Sequence, residues 1–319
     1  MKMLKIILIA ILVILLIVTV LMIALAINHR VNLKKELKLY QPLGQMVDID
    51  DKKMHIYIEG EGDHTFVFMS GHGTSSPTID FKPLWSKLAV DHKIVVIEKF
   101  GYGFSDVSSN QKDLDTLLED TRRALSILEV SGSFVLVPHS LSGLEAIYWA
   151  QKYPDEVKAI IGLDACTPGA IELLPKPSKA QLSLVYLISR IGLSRIMPEE
   201  EMKYNLPLLD SNEITDHEKL IYKTMFYKSS LTKDMLKELD WMKNNAQHIL
   251  DHDIPSHTPM YFFISSQQND DVPGWTQALT EYLESITLKQ SMILDTPHYV
   301  HHKLSDVIAV EIVDFLETI

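Results

Sequence analysis

Apolar residues in this chain fall into three kinds of run, and each kind predicts a different element. Ile6 to Ile27 is apolar throughout except for Thr19, with Lys2, Leu4 and Lys5 before it and Arg30, Lys34, Lys35 and Lys38 after it. A helix of that length can cross a bilayer. Short, solid apolar runs read as strands buried on both faces: TFVFM from Thr65, KIVVIEKF from Lys93, FVLV from Phe134, VKAIIGLD from Val157 and PMYFFIS from Pro259. The stretch MVDIDDKKMHIYIEG, from Met46, alternates around a polar pair and predicts a hairpin, and SITLKQSMILD, from Ser285, is a weaker strand. Apolar positions recur at helical spacing from Asp113 to Val130, from Gly274 to Glu284 and from Lys303 to Leu316.

Strands that alternate with helices predict a mostly parallel sheet covered on both faces. One interval breaks the alternation. Between Thr167 and His257 no strand pattern occurs, and the segment is too long for a loop. It holds helical patterns such as KAQLSLVYLISRIGL and TKDMLKELDWMKNNA, so it predicts a helical insertion. The expected organisation is therefore an amino-terminal anchor and basic linker (1–38), a core from 39–166 and 258–319, and a helical cap at 167–257.

Charge is divided unevenly along the chain. Residues 1–38 contain six basic residues and Glu36, a net of +5, so the remainder carries −17 of the total of −12. An acidic body repels nucleic acid and anionic lipid, and no basic stripe with aromatics is present. No GxxxxGK[ST] phosphate loop and no HExxH zinc motif occur. Cys166 is the one cysteine, which excludes an internal disulfide and leaves the compartment open. The apolar leader is longer than a signal-peptide core of up to about 15 residues. An uncleaved single-pass anchor is expected, with the body outside the cytoplasm if the short amino end stays inside. Ala24-Leu25-Ala26 matches a cleavage site and keeps a removed signal peptide as the alternative.

The chemistry concentrates where FVLVPHSLSG runs into LEAIYWAQKYP. A turn this sharp between strand and helix lifts Ser140 off the sheet edge and sets it beside the first free N–H groups of the helix. Ser142 would lie half a turn into the helix, and Ser105 in GYGFSDV has no helix behind it, so Ser140 has the register of a nucleophile. The plainer reading makes Ser140 a helix cap.

This turn resembles the nucleophile elbow of the α/β-hydrolase superfamily, Gly-x-Ser-x-Gly, with Pro138 and Ser142 where the glycines stand and Gly143 after them. The resemblance extends in family order over roughly residues 45–318. It implies an eight-stranded, mostly parallel sheet with a helical cap after strand 6, in a membrane-anchored member of bacterial type. The loop Ser70-Gly71-His72-Gly73-Thr74 takes the place of the family's oxyanion loop, which makes the backbone N–H groups of His72 and Leu141 the expected donors, with Gly73 as the fallback. His298, between the last strand and the last helix, takes the place of the general base. His301 and His302 follow too closely to serve. For the acid, Asp164 at the end of strand 6 is preferred, and Asp270 after strand 7 is the alternative. EKFGYGFSD resembles the family's Asp-x-x-Gly-x-Gly-x-Ser turn, with Glu98 for aspartate, and is read as structural.

The resemblance implies a serine hydrolase that cleaves a small ester or amide, with carboxylesterase, lipase-like and aminopeptidase activities all compatible. An aminopeptidase would need carboxylates for a free amine, such as Glu145, Glu98 or ones in the cap. A catalytically weak binding protein on the same scaffold is the alternative, and Pro138 and Ser142 favour it. No cofactor is expected. No metal is expected either at His298, His301 and His302 or at His248, Asp251, His252 and Asp253, because such spacings arise by chance near helix ends.

Overall fold

The computed structural model describes residues 2–108, 110–175 and 177–319. Its centre is an eight-stranded sheet: β1 (Gln45–Ile49), β2 (Lys52–Glu59), β3 (Thr65–Met69), β4 (Lys93–Glu98), β5 (Phe134–Pro138), β6 (Val157–Leu163), β7 (Met260–Ser265) and β8 (Lys289–Leu294). The spatial order is β1-β2-β4-β3-β5-β6-β7-β8. Strands β1 and β2 form the antiparallel edge, and β3 through β8 run parallel. The hairpin turns on Asp50, whose φ of +54° an aspartate tolerates, and Arg123 grips its carboxylate at 2.8 and 3.0 Å.

The longer helices are α1 (Lys2–Leu39), α2 (Leu114–Ile127), α3 (Gly143–Lys152), α4 (Lys179–Ile191), α5 (Asp216–Ser229), α6 (Lys233–Leu250), α7 (Trp275–Leu283) and α8 (Ser305–Leu316). Successive strand residues point to opposite faces, so each solid apolar run feeds two cores. Val67, Leu136, Ile160 and Phe262 pack with Leu144, Ile147 and Trp149 of α3 on one face. Phe66, Phe68, Val135 and Ile161 pack with Ile308, Ile312 and Phe315 of α8 on the other. Helices α4, α5 and α6 all lie in the interval between β6 and β7, with two shorter helices, Pro168–Leu173 and Glu199–Asn205.

Two elements differ from the sequence expectation. The final helix is broken: Val300–Lys303 forms one turn, Leu304 leaves helical geometry at φ −118° and ψ 23°, and α8 starts at Ser305. The basic stretch after Ile27, expected to be a linker, continues α1 without interruption to Leu39. Helix α1 is long and apolar enough to cross a membrane, and its apolar window is wholly exposed.

Helix α3 approaches the sheet so closely that its first residue must lack a side chain. A Cβ on Gly143 would stand 2.2 Å from the Cys166 carbonyl oxygen and 2.8 Å from its nitrogen, both backbone atoms. Gly143→Ala is therefore expected to lower stability by about 1–3 kcal/mol or more, as for other overpacked sites. Reversible thermal or urea unfolding of the variant against the parent measures it, and an unchanged midpoint would mean that the elbow has slack.

Candidate active site

Strand β5 ends on Pro138, which has no N–H to give to a ladder. The regular pairing of β5 with β6 runs as far as Leu136 and Ile160 and is followed by a single bridge between His139 and Leu163. The chain then turns through Ser140 at φ +53°, and a 3-10 turn over Ser140–Ser142 leads into α3. Ser142, in place of the expected glycine, is fully buried. Its hydroxyl lies 2.6 Å from the Met69 carbonyl oxygen and accepts the His139 N–H at 3.1 Å, tying the elbow to β3. Cys166 N–H donates to the Ser140 carbonyl at 2.8 Å and ties it to the end of β6. The departures from the glycine pattern thus have structural uses that local sequence did not reveal.

Asp164 follows β6 directly, is completely buried and also has positive φ, +48°. Non-glycine residues held there are strained and persist only where the surroundings impose them. Among the described residues the others are Asp50 and Glu129, both in surface turns. One oxygen of Asp164 accepts the Ser265 backbone N–H at 2.9 Å and the Trp275 indole N–H at 2.8 Å. The other lies 2.6 Å from Nδ1 of His298. Trp275 was not singled out in the sequence, where only its place at a helix start, after Gly274, marked it.

Asp270 sits elsewhere, on a single helical turn, Gln268–Asp271, and lines the main cavity. Of the two candidate acids, Asp164 is the one in contact with His298. Ser140 is half-buried, and the ring of its neighbour His139 lies 4.7 Å from that of His298. Among the described residues the Ser140 hydroxyl makes no hydrogen bond to His298. Burial and the Asp164 charge push the thiol of Cys166, whose backbone is bonded to that of Ser140, far above the usual range. Burial, helped by the neighbouring imidazoles, holds His139 well below its ordinary value, and its Nε2 lies 3.3 Å from the His298 carbonyl oxygen.

The loop after β3 presses on the elbow. A Cβ on Gly71 would come within 2.6 Å of the Ser140 Cβ, so only glycine lets the two approach. Among the described residues, neither the His72 nor the Leu141 N–H donates to a protein acceptor.

His72 is also tied to a buried charge network. Lys99, after β4, lies 2.5 Å from Glu145 on α3 and 3.4 Å from Glu238 on α6. Glu238 accepts the Tyr102 hydroxyl and faces Nδ1 of His72 at 3.7 Å. Burial opposes charge on Glu238, but Lys99 and His72 outweigh it and bring its carboxyl down to about 2. Glu98, fully buried, pairs with His55 at 2.8 Å and accepts the Phe104 N–H at 2.7 Å, which fits the turn role expected of EKFGYGFSD.

A cavity of about 860 Å³ opens over this region, lined among others by His72, Gly73, Asp80, Phe226, Asp270 and His298. Ser140 does not itself line it. Next to it, Asp80 accepts the Tyr222 hydroxyl at 2.9 Å and faces Nε2 of His301 and His302 at 3.5 and 3.2 Å. Burial opposes ionisation of Asp80, but the two imidazoles outweigh it and keep the carboxylate charged, while burial brings His301 down to about 4. These three residues hold ligand atoms within 4.8 Å of one another, a spacing a cation could use. Neither Nδ1 has the outer hydrogen-bond partner that metal-bound imidazoles normally keep, among the described residues. The cluster reads as a buried carboxylate shared by its neighbours. The rings of His248 and His252 lie 4.6 Å apart, tilted at 56° to each other, beside Tyr148.

Comparison with known proteins places this geometry. The model of the alpha/beta hydrolase fold matches residues 65–188. The Bacillus subtilis (strain 168) protein YbdG is 40% identical over 236 residues, covering 73% of this chain and 72% of that one. The 2-(acetamidomethylene)succinate hydrolase of Mesorhizobium japonicum is 26% identical over 122 residues, 38% of this chain and 42% of that protein. Among solved structures, an epoxide hydrolase from Vigna radiata superposes with a TM-score of 0.65 at 16% identity, covering 86% of this chain and 98% of that one. An eight-stranded sheet of this order, a serine on a strained elbow, and a relative that is 40% identical along most of both chains lead to one assignment: the protein belongs to the α/β-hydrolase superfamily.

Proposed function

We propose that this hydrolase cleaves an ester or amide through an acyl-enzyme on Ser140, with His298 as general base and Asp164 as its orienting acid. The observation that carries the reading is the 2.6 Å contact between His298 Nδ1 and an Asp164 carboxylate that two further donors hold in place. With Nδ1–H given to Asp164, Nε2 is the free base. It takes the Ser140 proton as Oγ attacks the carbonyl carbon, and the resulting oxyanion is met by the N–H groups of His72 and Leu141. The tetrahedral adduct collapses as the imidazolium gives its proton to the leaving alcohol or amine. Water, deprotonated by the same nitrogen, then releases the acid and restores the serine. A serine at the elbow, unlike an aspartate, gives an acyl ester and not an alkyl ester.

Two carboxylates considered for a substrate amine are engaged internally, Glu145 with Lys99 and Glu98 with His55. That favours carboxylesterase or lipase-like substrates over a free amino terminus. The apolar part of α1 is assigned to a membrane, with the body outside the cytoplasm.

The test is active-site labelling of the full chain in detergent with a fluorophosphonate, followed by peptide mass spectrometry. Labelling at Ser140 that is lost in His298→Ala is the expected result. A folded protein that stays unlabelled would replace the enzyme reading with that of a binding scaffold.

A further inference from the structure

Helix α4 has no buried residue, although its sequence, KAQLSLVYLISRI, is rich in large apolar side chains. Leu184 is 58% exposed, Val185, Leu187 and Ile188 are also in the open, and Ile196 just beyond the helix is 63% exposed. Tyr186 packs inward, against Tyr102, Leu231 and Met235. An apolar surface this continuous on a monomer marks a contact.

The position of α4 identifies what it contacts. The helix ends on Gly192, in left-handed geometry at φ +77°, and a Cβ there would stand 2.4 Å from the Cβ of His29 on α1. His29 is buried at that crossing. Arg195 then clamps the same stretch of α1, with both terminal nitrogens on Glu36 at 2.8 and 2.6 Å and Nε on His29 at 3.1 Å. Its guanidinium lies 4.2 Å from the centre of the Tyr227 ring on α5. Helix α1 is therefore fastened to the inserted helices over residues 29–36, without a break from the apolar run that ends at Ile27. At about 1.5 Å per residue, His29 is only ~3 Å along the axis from the end of that run. The end of α4 is thus fixed at the depth where the hydrocarbon stretch of α1 stops. Arg30, Lys34 and Lys35 on α1 and Arg190 on α4 lie at or beyond the same level, where phosphate headgroups would meet them.

We infer that α4 and Ile196 lie in the interfacial layer of the bilayer that α1 spans, so that the inserted helices, rather than the sheet, rest on lipid. This builds on the membrane assignment of α1. A helix with one apolar face and basic flanks takes this position. The acidic body, repelled by anionic headgroups, is held there by the apolar face and its basic collar.

The test uses full-length protein in phosphatidylcholine nanodiscs, with the fluorophore NBD on single introduced cysteines. Positions are Ile14→Cys in α1, Leu184→Cys and Leu187→Cys in α4, and Asp251→Cys as the distal control. Asp251 follows α6, an 18-residue helix that starts beside Tyr186 and so carries it ~27 Å away along its axis. Cys166 is buried, and the unsubstituted protein reports any labelling of it. Acyl chains brominated near the headgroup should quench about half the emission at Leu184 and Leu187, as for a helix ~5–10 Å deep. Bromine deeper in the chain should quench Ile14, and Asp251 should respond to neither. Quenching at Ile14 but not at α4 would overturn the inference and leave the anchor standing. A blue-shifted α4 label that bromine does not quench would mean a protein partner covers the face, which also overturns it. Loss of quenching at Ile14 would remove the anchor and the inference together.

Discussion

Ser140→Ala is expected to lower the turnover of an activated ester by ~10⁴-fold or more, the scale on which serine hydrolases lose rate when the nucleophile goes. Stability should hardly change. The variant keeps the Cβ against which Gly71 packs, and the lost hydroxyl is half-buried. Loss of one half-buried hydroxyl, with the backbone unchanged, is expected to cost no more than about 1 kcal/mol. Initial rates on p-nitrophenyl acetate, paired with a thermal melt, separate the two effects. A variant that melts like the parent and still turns over would end the acyl-enzyme mechanism, whatever else the site does.

Asp164→Asn is expected to cost a comparable factor, ~10³–10⁴ in kcat, for a different reason. Two donors, the Ser265 N–H and the Trp275 indole, fix the carbonyl oxygen of the new amide on their side. The NH₂ group then faces His298 Nδ1, which must become an acceptor, and the proton moves to Nε2, where the Ser140 proton should go. Asparagine tolerates left-handed geometry, so the φ of +48° adds little strain and the protein should fold. Asp270→Asn, whose carboxylate lines the cavity away from this contact, should leave kcat within about twofold, as surface changes do. Equal losses in both variants would remove Asp164 from its special place. A large loss at Asp270 alone would make that residue the acid.

The strands were legible because a sheet covered on both faces needs solid apolar runs, and TFVFM, FVLV and VKAIIGLD are little else. Helix α5 escaped notice because its buried residues, among them Ile221, Tyr222, Thr224, Met225 and Phe226, do not form one stripe. Its start was nevertheless written in the capping box of Thr215 and Glu218. Ser142 looked like a weakness in the elbow because its use depends on the Met69 carbonyl, seventy-three residues away. Asp164 and Asp270 could not be separated locally, since the partner that distinguishes them, His298, lies 134 residues beyond Asp164. Asp80 gave no signal of its own. It became visible only where the fold set it against His301, His302 and Tyr222.

Asp164 and everything that holds it, Ser265, Trp275 and His298, lie outside the inserted helices, whereas Glu238, beside His72, lies on one of them. Two halves of the site therefore answer to different parts of the molecule. A rocking of the insertion on a lipid surface would leave the aspartate–histidine pair in register, while the loop beside Ser140 would feel it through Glu238, Lys99 and Tyr102. On the proposed mechanism, the proton relay is bedded in the sheet, and the cradle for the developing charge is strung to the roof.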